Sequence, residues 1–170
     1  MSKHHGEPFQ GPIKKDHDRQ RHVVGKEPAG FLVCSQCRAV FHNKHWQWNA
    51  TLLAKHSGDK KTETICPACK ITRKEEAEGV LELAGFVSEG QKQEILGLLK
   101  NAGQRAAERD PLDRIFAWDD AGKKIVVYTT ENQLAISLGK QVKRAFNGEL
   151  DISSSKNADV VKVKWQGWMG

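Results

Sequence analysis

The C-terminal part of the chain carries the clearest alternation of apolar and polar positions. Residues 115–118 and 124–129 alternate with a period of two, which predicts two strands. The residues between them, 119–122, are Asp-Asp-Ala-Gly, a composition that favours a tight turn. A helical spacing follows over 130–146, and alternation returns at 160–165. We therefore predict a ββαβ domain within residues 112 to 170.

Two helices are predicted from apolar residues that recur every three or four positions. The first covers residues 88–109, with Ser88 as its N-terminal cap and Pro111 just beyond its end. The second begins after Thr130, where Gln133 completes a partial capping box. The residues expected to face the core are Ile95, Leu98, Leu99, Ala102 and Ala106 in the first helix, and Leu134, Leu138, Val142 and Phe146 in the second.

The N-terminal half has shorter apolar runs and divides into two parts. Residues 1–29 mix Lys, Arg, His, Gly and Pro without an apolar period, which predicts a basic flexible tail. Residues 30–87 contain the cysteines, a helix-prone run at 71–78 and a strand at 79–87 that would close this unit. With residues 88–111 as a connecting helix, the chain is predicted to be an α+β protein.

Four cysteines occur in the chain, as two Cys-x-x-Cys pairs separated by 28 residues. Zinc takes four ligands in a tetrahedron, with a Zn–S distance of about 2.3 Å, and each pair can place two thiolates on one side of it. An all-cysteine set leaves no open position for water or substrate, which indicates a structural site. The predicted ligands of Zn²⁺ are Cys34, Cys37, Cys66 and Cys69.

Three other uses of these cysteines compete with zinc. Two disulfides would suit a secreted chain, but the N-terminal segment lacks the apolar run of a secretory signal, and a cytoplasmic location is expected. A redox pair would need one Cys-x-x-Cys in a βαβ setting. An iron–sulfur cluster also takes four thiolates and stays open as an alternative.

The metal is predicted to lie in a treble clef, in which the last two ligands come from the first turn of a helix. A zinc ribbon, with the second pair on a hairpin, is the alternative. Four thiolates on Zn²⁺ leave a net negative charge, and Arg38, Lys70 and Arg73 lie beside the ligands in sequence, where they would offset it. Because the shell is already full, three histidines are expected to lie outside it: His42, His45 and His56.

Charge is uneven along the chain. Residues 1–75 hold 14 Lys and Arg against 7 Asp and Glu, together with all seven His, whereas residues 76–170 hold 13 against 14. A basic half of this kind indicates a polyanionic partner, most often nucleic acid. No run approaches the roughly 20 apolar residues that span a bilayer, so no membrane partner is predicted.

Aromatic and basic residues around the cysteines are the candidate nucleic-acid contacts. Aromatic rings can stack on bases, and Lys and Arg can neutralise phosphates. The predicted contacts are Arg38, Lys44, His45, Trp46, Trp48, Lys55, Lys60, Lys61, Lys70 and Arg73. In the competing interpretation the tryptophans pack in the small core of the cysteine unit, and we expect at least one of them to do so.

The ordered combination of motifs resembles a known family. The stretch from Cys34-x-x-Cys37 through Trp46 to Cys66-Pro67-x-Cys69 resembles the zinc region of the export adaptor of the large ribosomal subunit in eukaryotes and archaea. Later runs are similar to small bacterial proteins related to that adaptor: Asp110-Pro-Leu-Asp-Arg-Ile115, Thr129-Thr-Glu-Asn-Gln-Leu134-Ala, Gly148-Glu-Leu150 and Val161-Lys-Val-Lys-Trp165.

The resemblance covers residues 30–165. It implies a zinc-binding N-terminal part, a small α+β C-terminal part, a link to ribosomes or RNA, and no catalytic residues. The bacterial proteins often carry His where this chain has Gln133, so no role of that His is transferred.

The sequence therefore predicts a non-catalytic zinc-binding protein that binds RNA in association with the ribosome. The alternative is a protein-interaction adaptor or regulator that docks through the zinc unit or the ββαβ sheet. An enzyme is not predicted, because the sequence has no Ser/His/Asp grouping, no phosphate-cradling Gly-rich loop and no open metal site.

Overall fold

The computed structural model describes residues 31–55, 62–154 and 160–168, so the predicted basic tail lies outside the described residues. Those residues form two β-sheets and four α-helices. The predicted α+β class is confirmed. The domain boundaries drawn from the sequence remain a prediction.

The smaller sheet has four strands of three residues each, in the order β3-β2-β1-β4. They are β1 Leu32–Cys34, β2 Val40–His42, β3 His45–Gln47 and β4 Thr62–Thr64. The first three are antiparallel, whereas β4 lies parallel to β1. Asn43 and Lys44 join β2 to β3 with positive φ angles of 51° and 66°, as a two-residue type I′ hairpin loop requires.

A short helix that the sequence analysis did not predict, α1 (Ala50–Lys55), follows this hairpin. The Asn49 side chain accepts a hydrogen bond from the Leu52 backbone N–H at 2.9 Å, which satisfies a free donor at the helix start. Leu52 and Leu53 pack against buried side chains on one side of the small sheet: Phe31, Val33 and Val40. The helix therefore covers the face of the sheet that lacks the cysteine cluster.

The larger sheet has five strands in the order β6-β7-β5-β9-β8. They are β5 Gly79–Ala84, β6 Ile115–Asp120, β7 Lys124–Thr129, β8 Gly148–Ser154 and β9 Val161–Gly167. Two helices, α3 (Glu89–Arg109) and α4 (Asn132–Ala145), belong to the same part of the chain. The central strand β5 pairs antiparallel with β7 and parallel with β9.

The placement of β5 corrects the sequence-based prediction. This strand was expected to close the cysteine unit, but it lies in the middle of the larger sheet. Its six residues pair along their full length with β7 on one side and β9 on the other. The three-residue strands of the small sheet could not match that length, nor bury both Leu81 and Leu83, which are fully buried here.

The C-terminal part also contains one strand more than the predicted ββαβ pattern. β8 is an edge strand in which only Leu150 and Ile152 are apolar and half-buried, so it gives a weak periodic signal. Asp119 and Asp120 extend β6 instead of forming the turn. The reversal falls on residues 121–123, where Gly122 has a φ of 75°.

The prediction for helix α3 is confirmed. The Ser88 hydroxyl accepts a hydrogen bond from the Gln91 backbone N–H at 3.1 Å. Four of the five predicted core residues are buried and Leu98 is half-buried; the buried ones are Ile95, Leu99, Ala102 and Ala106.

Helix α4 is also confirmed, but its predicted cap is wrong. Glu131 holds the cap position without a side-chain hydrogen bond. Instead, the Thr130 hydroxyl donates to the Leu112 carbonyl at 2.5 Å and accepts from the Arg114 backbone N–H at 2.8 Å. Thr130 is therefore used to hold the segment between α3 and β6.

The main core lies between the two helices and one face of the larger sheet. Buried side chains from the central strands contribute to it: Leu81, Leu83, Ile125, Val127, Val163 and Trp165. Helix α4 approaches the sheet closely at Gly139, where an added Cβ would lie 2.5 Å from Val163 Cγ1. Glycine is therefore required at this contact between helix and sheet.

Candidate metal centre

The first Cys-x-x-Cys pair forms the turn between β1 and β2. Cys34 ends β1, and its backbone N–H donates to the Ala39 carbonyl at 2.8 Å. The Arg38 N–H donates back to the Cys34 carbonyl at 2.9 Å. Arg38 adopts a left-handed φ of 67°, which reverses the chain and directs it into β2. Cys34 and Cys37 therefore lie on one tight turn.

The second pair is brought to the first because β4 lies parallel to β1. Cys66 precedes α2 (Pro67–Lys70), a single helical turn that begins with proline and contains Cys69. The Lys70 N–H donates to the Cys66 carbonyl at 3.1 Å, the same hydrogen bond that Arg38 makes to Cys34 in the first pair. The two turns are thus built alike.

The predicted helix-prone run at 71–78 does not continue α2. The backbone becomes extended at Ile71, and the Thr72 and Arg73 N–H groups donate to the Glu76 carboxylate at 3.0 and 3.2 Å. The Glu76 side chain thus accepts hydrogen bonds from backbone N–H groups that, in a continuing helix, would donate to backbone carbonyls. What remains is one 3₁₀ turn at Lys74–Glu76.

The four cysteine sulfur atoms converge, as the sequence predicts. All four Sγ atoms lie within 4.8 Å of one another, and all four residues are free cysteines. Cys37 Sγ and Cys66 Sγ, which belong to different turns, are 3.7 Å apart. Two ligands of a tetrahedral ion with Zn–S bonds of about 2.3 Å would be roughly 3.8 Å apart. The four thiols could therefore hold one metal ion.

Burial and local hydrogen bonds give the four thiols different acidities. Burial alone would raise the pKa of Cys34, but the backbone N–H groups of Cys37, Cys66 and Gln36 outweigh it and lower that pKa to about 6. The contact from the Cys66 N–H to Cys34 Sγ measures 3.3 Å.

Burial raises the pKa of Cys66, against a backbone N–H of Cys69 that lowers it. Burial raises the pKa of Cys69 as well. Neighbouring thiolates repel each other at this distance, so a full set of four needs a cation among them.

A charged side chain reaches the cysteine cluster from the larger unit, which is the larger sheet with α3 and α4, within residues 79–168. The cysteine unit comprises the described residues before it, 31–55 and 62–78. Arg114 Nη1 donates to Cys69 Sγ at 3.3 Å, although the two residues are 45 positions apart in sequence. Burial would lower the pKa of Arg114, but the nearby sulfur atoms of Cys37 and Cys69 outweigh burial and raise it. A guanidinium in this position favours anionic sulfur, which is the form that binds metal.

Arg114 replaces the basic residues that were expected to offset the thiolate charge. Arg38 lies 3.7 Å from Glu63 in an exposed ion pair, and Arg73 pairs with Glu76 at 3.0 Å. Lys70 is exposed at the end of α2. Proximity in sequence placed these residues next to the ligands, but their side chains lie among carboxylates or solvent.

The apolar surroundings of the sulfur atoms come from both parts of the chain. Buried residues in this cluster, besides Cys34 and Cys66, are Leu32, Ala39, Trp46, Ala68 and Leu112. Leu112 comes from the segment between α3 and β6. Phe41 and Trp46 add a tilted ring contact with centroids 5.5 Å apart. The core beside the cysteine cluster therefore includes a residue from outside the cysteine unit.

The predicted nucleic-acid contacts occupy several different environments. Trp46 is only 6% exposed, so its ring is a core element and is not available to stack on a base. Trp48 is 43% exposed, but its indole N–H donates to the Ala107 carbonyl at 2.6 Å. Lys44 and His45 are exposed. The structure thus leaves mainly cations for contact with a polyanion.

The remaining candidates are distributed as follows. The Lys55 backbone ends α1, and its side chain lies outside the described part of the structure. Lys60, Lys61 and His56 lie outside the described residues altogether. His42 is half-buried in β2 and is not among the metal-ligating groups found in the described residues, nor is His45.

Comparison of the chain with protein-family models, with curated proteins and with solved structures finds no match. Among the helices that the structure describes, none combines the length and apolar character needed to cross a bilayer.

Proposed function

We propose that this chain is a non-catalytic zinc-binding protein that binds RNA in association with the ribosome. The observation that carries the metal part is the convergence of four cysteine Sγ atoms within 4.8 Å. Four thiolates fill the tetrahedral shell of zinc and leave no position for substrate or water, which supports a structural role for the ion.

The separation of the sulfur atoms favours one metal ion over a cluster. In a four-iron cluster each thiolate binds a different iron atom, which spreads the thiolates by the width of the cluster. The Cys37–Cys66 distance of 3.7 Å instead matches two ligands of a single ion. Zinc is the common occupant of such a closed four-sulfur tetrahedron.

A treble-clef arrangement is the finer proposal for this site. Cys34 and Cys37 lie on the turn of a hairpin, whereas Cys66 holds the N-cap position of α2, a single helical turn that contains Cys69. A zinc ribbon would place the second pair on a hairpin turn. The helical turn after Cys66 therefore supports the treble clef.

Charge supports the proposed RNA partner. The first 75 residues hold twice as many basic as acidic residues, and Lys44 and Lys70 are exposed on the cysteine unit. Arg38 lies in an ion pair in which both side chains are more than half exposed, so phosphate can compete with Glu63 for it. The resemblance of the cysteine motif to the ribosomal export adaptor supports the ribosome as the source of that RNA.

Co-sedimentation with ribosomes at several salt concentrations tests this proposal. We expect the logarithm of the binding constant to fall linearly with the logarithm of the salt concentration. A Lys44→Ala/Lys70→Ala double variant should bind less tightly and lower the salt slope, since each lost phosphate contact removes about 0.7–0.9 from it. Lys100→Ala/Lys123→Ala, which removes two exposed lysines from the larger unit, is the matched control. Absence from ribosomal fractions at every salt concentration would reject the RNA proposal.

A protein-interaction adaptor is the second candidate, and the larger sheet favours it. The helices cover one face of this sheet, and the other face carries the half-buried side chains of Val80, Val126 and Tyr128. Charged side chains lie on the same face, among them Glu82, Lys162 and Lys164. A face that mixes half-buried apolar and charged side chains suits a protein partner. A complex that survives nuclease and high salt, and that Val126→Lys abolishes, would favour this function over RNA binding.

A further inference from the structure

The segment between α3 and β6 connects the cysteine cluster to the larger unit. At its centre, Leu112 is 8% exposed within the apolar cluster that surrounds the cysteines. Two residues later, Arg114 is attached to the larger unit, because its backbone N–H donates to Thr130 Oγ1 at 2.8 Å and the Thr130 N–H donates to its carbonyl at 2.9 Å. Arg114 therefore has its backbone in one unit and its charge in the other.

The Arg114 side chain is held in one orientation. Its Nε donates to the Pro111 carbonyl at 2.6 Å, while Nη1 donates to Cys69 Sγ at 3.3 Å. The Trp48 ring lies on the guanidinium, with 5.8 Å between Arg114 Cζ and the ring centroid. The half-buried guanidinium therefore contacts both an indole ring and a cysteine sulfur atom.

Trp48 makes a second connection between the units. Its Nε1–H donates to the Ala107 carbonyl at 2.6 Å. Ala107 lies in the last turn of α3, where carbonyl groups have no partner within the helix. The C-terminal end of α3 is thus capped by a side chain of the cysteine unit.

We propose that Arg114 is the positioning residue that balances the charge of the metal–thiolate centre, and that metal occupancy thereby holds the cysteine unit against α3 and the larger sheet. This inference rests on the proposed metal function. Its physical basis is the placement of Arg114: the guanidinium donates to Cys69 Sγ at 3.3 Å, while the backbone of the same residue is bound to Thr130 in the larger unit. A hydrogen bond from a guanidinium to a metal-bound thiolate is charge-assisted and orients that ligand.

Coupling of this kind acts in both directions. If bound metal favours contact between the units, then removal of Arg114 weakens metal binding. Partners of metal ligands usually change metal affinity by about 10- to 100-fold when they are mutated. We expect a loss within that range for Arg114→Met, which removes the cation and its donors but keeps an apolar stem.

Zinc affinity of the full-length protein, measured by competition with a chromophoric chelator, tests the proposal. Arg114→Met should lose about 10- to 100-fold, and Arg114→Lys should lose less, because it keeps the charge without the planar fork. Arg109→Met is the matched control, since Arg109 is exposed in the last turn of α3. Arg38→Met tests the residue next to the ligands in sequence. An affinity of Arg114→Met equal to that of Arg109→Met would overturn the proposal.

The absorption spectrum of the cobalt-substituted protein reports on the sulfur ligands themselves and does not change when the protein is merely less stable. A cation that donates to sulfur stabilises the sulfur electrons, so the sulfur-to-cobalt charge-transfer bands should shift to longer wavelength in Arg114→Met and not in Arg109→Met. Unchanged bands in Arg114→Met would contradict a contact between Arg114 and the metal ligands.

Hydrogen exchange of the wild-type protein covers the case in which Arg114→Met does not fold. After metal removal, we expect faster exchange in residues 105–112 as well as in the cysteine unit. Unchanged exchange in 105–112 would show that the units are not coupled through the metal. A wild-type protein that binds no zinc would reject the proposed function itself, which separates the two failures.

Discussion

The two sheets of this protein reach their structure by different means. The larger sheet has strands of six or seven residues and a continuous apolar core beneath two helices. The smaller sheet has strands of three residues and two small clusters, one on each face. Burial of apolar surface can stabilise the first, but such small clusters supply little of it. The cysteine cluster lies in the sheet that has the least core.

This difference indicates what the proposed zinc ion contributes. In small metal-binding units the free energy of metal binding is also the free energy of folding. The larger sheet does not depend on metal binding for its stability, because it has an apolar core of its own. Its fully buried side chains include Leu81, Leu83, Ile125 and Val163. We therefore expect the two units to respond differently to metal removal, mutation and pH.

The largest predicted effect is that of metal removal. Structural zinc binding is worth about 10–16 kcal/mol in small zinc-finger peptides, more than a small sheet can replace. A strong chelator, or Cys34→Ser, should abolish hydrogen-exchange protection in residues 32–42 and 62–70 while the central strands of the larger sheet stay protected. Hydrogen-exchange protection that persists in the cysteine unit without metal would contradict this difference between the two units.

A substitution in the core of the larger unit should lower the stability of that unit and leave zinc binding intact. Leu81→Ala removes a fully buried side chain from the central strand and should cost about 2–5 kcal/mol in urea unfolding. The neighbouring Val80→Ala is the control, because Val80 is only half-buried on the opposite face of β5. Folded Leu81→Ala protein should keep one zinc ion per chain. Loss of zinc from that folded variant would show that the units are not distinct.

Metal affinity should rise with pH. The pKa values of Cys66 and Cys69 are raised by burial, so both thiols keep their protons at neutral pH without metal and must release them on binding. These two protons alone contribute roughly a hundredfold gain in apparent affinity per pH unit. The pKa of Cys34 is lowered to about 6, so it adds to this dependence only below that pH. Chelator competition between pH 6 and 8 measures the slope, and a flat profile would contradict the prediction.

The smallest predicted effect concerns an ion pair of the larger unit. Lys92 is buried, and its Nζ donates to Asp120 Oδ1 at 2.7 Å, which lowers the pKa of Asp120. The stabilising effect of this carboxylate is therefore present above about pH 4 and is lost as the pH falls further. Asp120→Asn should lower Tm at neutral pH, since it leaves the Lys92 charge without its carboxylate.

Asp151→Asn, on the edge strand β8, is the control for that variant because Asp151 is exposed. Thermal unfolding from pH 3 to 7 should give a smaller acid-induced fall in Tm for Asp120→Asn than for Asp151→Asn. Equal acid dependence in the two variants would contradict the assigned role of the Lys92–Asp120 pair. Zinc content should be unaffected in both.

The sequence predicted the elements whose apolar period is long. Helix α3, strand β7 and strand β9 follow regular patterns of buried residues, and their positions agree with the prediction. Helix α1 and strand β8 were missed because α1 has six residues and β8 is a mostly polar edge strand. Strand β5 was found but assigned to the wrong unit, since periodicity does not specify the partner strands.

The candidate metal site, too, could be predicted only in part. The cysteines were predictable because the spacing of each pair is a local property of the chain. The role of Arg114 was not predictable, because Arg114 and Cys69 are 45 positions apart in sequence and meet only through the packing of the two units. Trp46 and Trp48 could not be distinguished by sequence, yet one is buried and the other exposed.

Elemental analysis combined with thiol alkylation tests the central claim most directly. The account predicts one zinc ion per chain in the purified protein, and four cysteines that react with an alkylating reagent only after a chelator removes the metal. A folded protein that contains no metal, or in which the cysteines are joined as two disulfides, would contradict it.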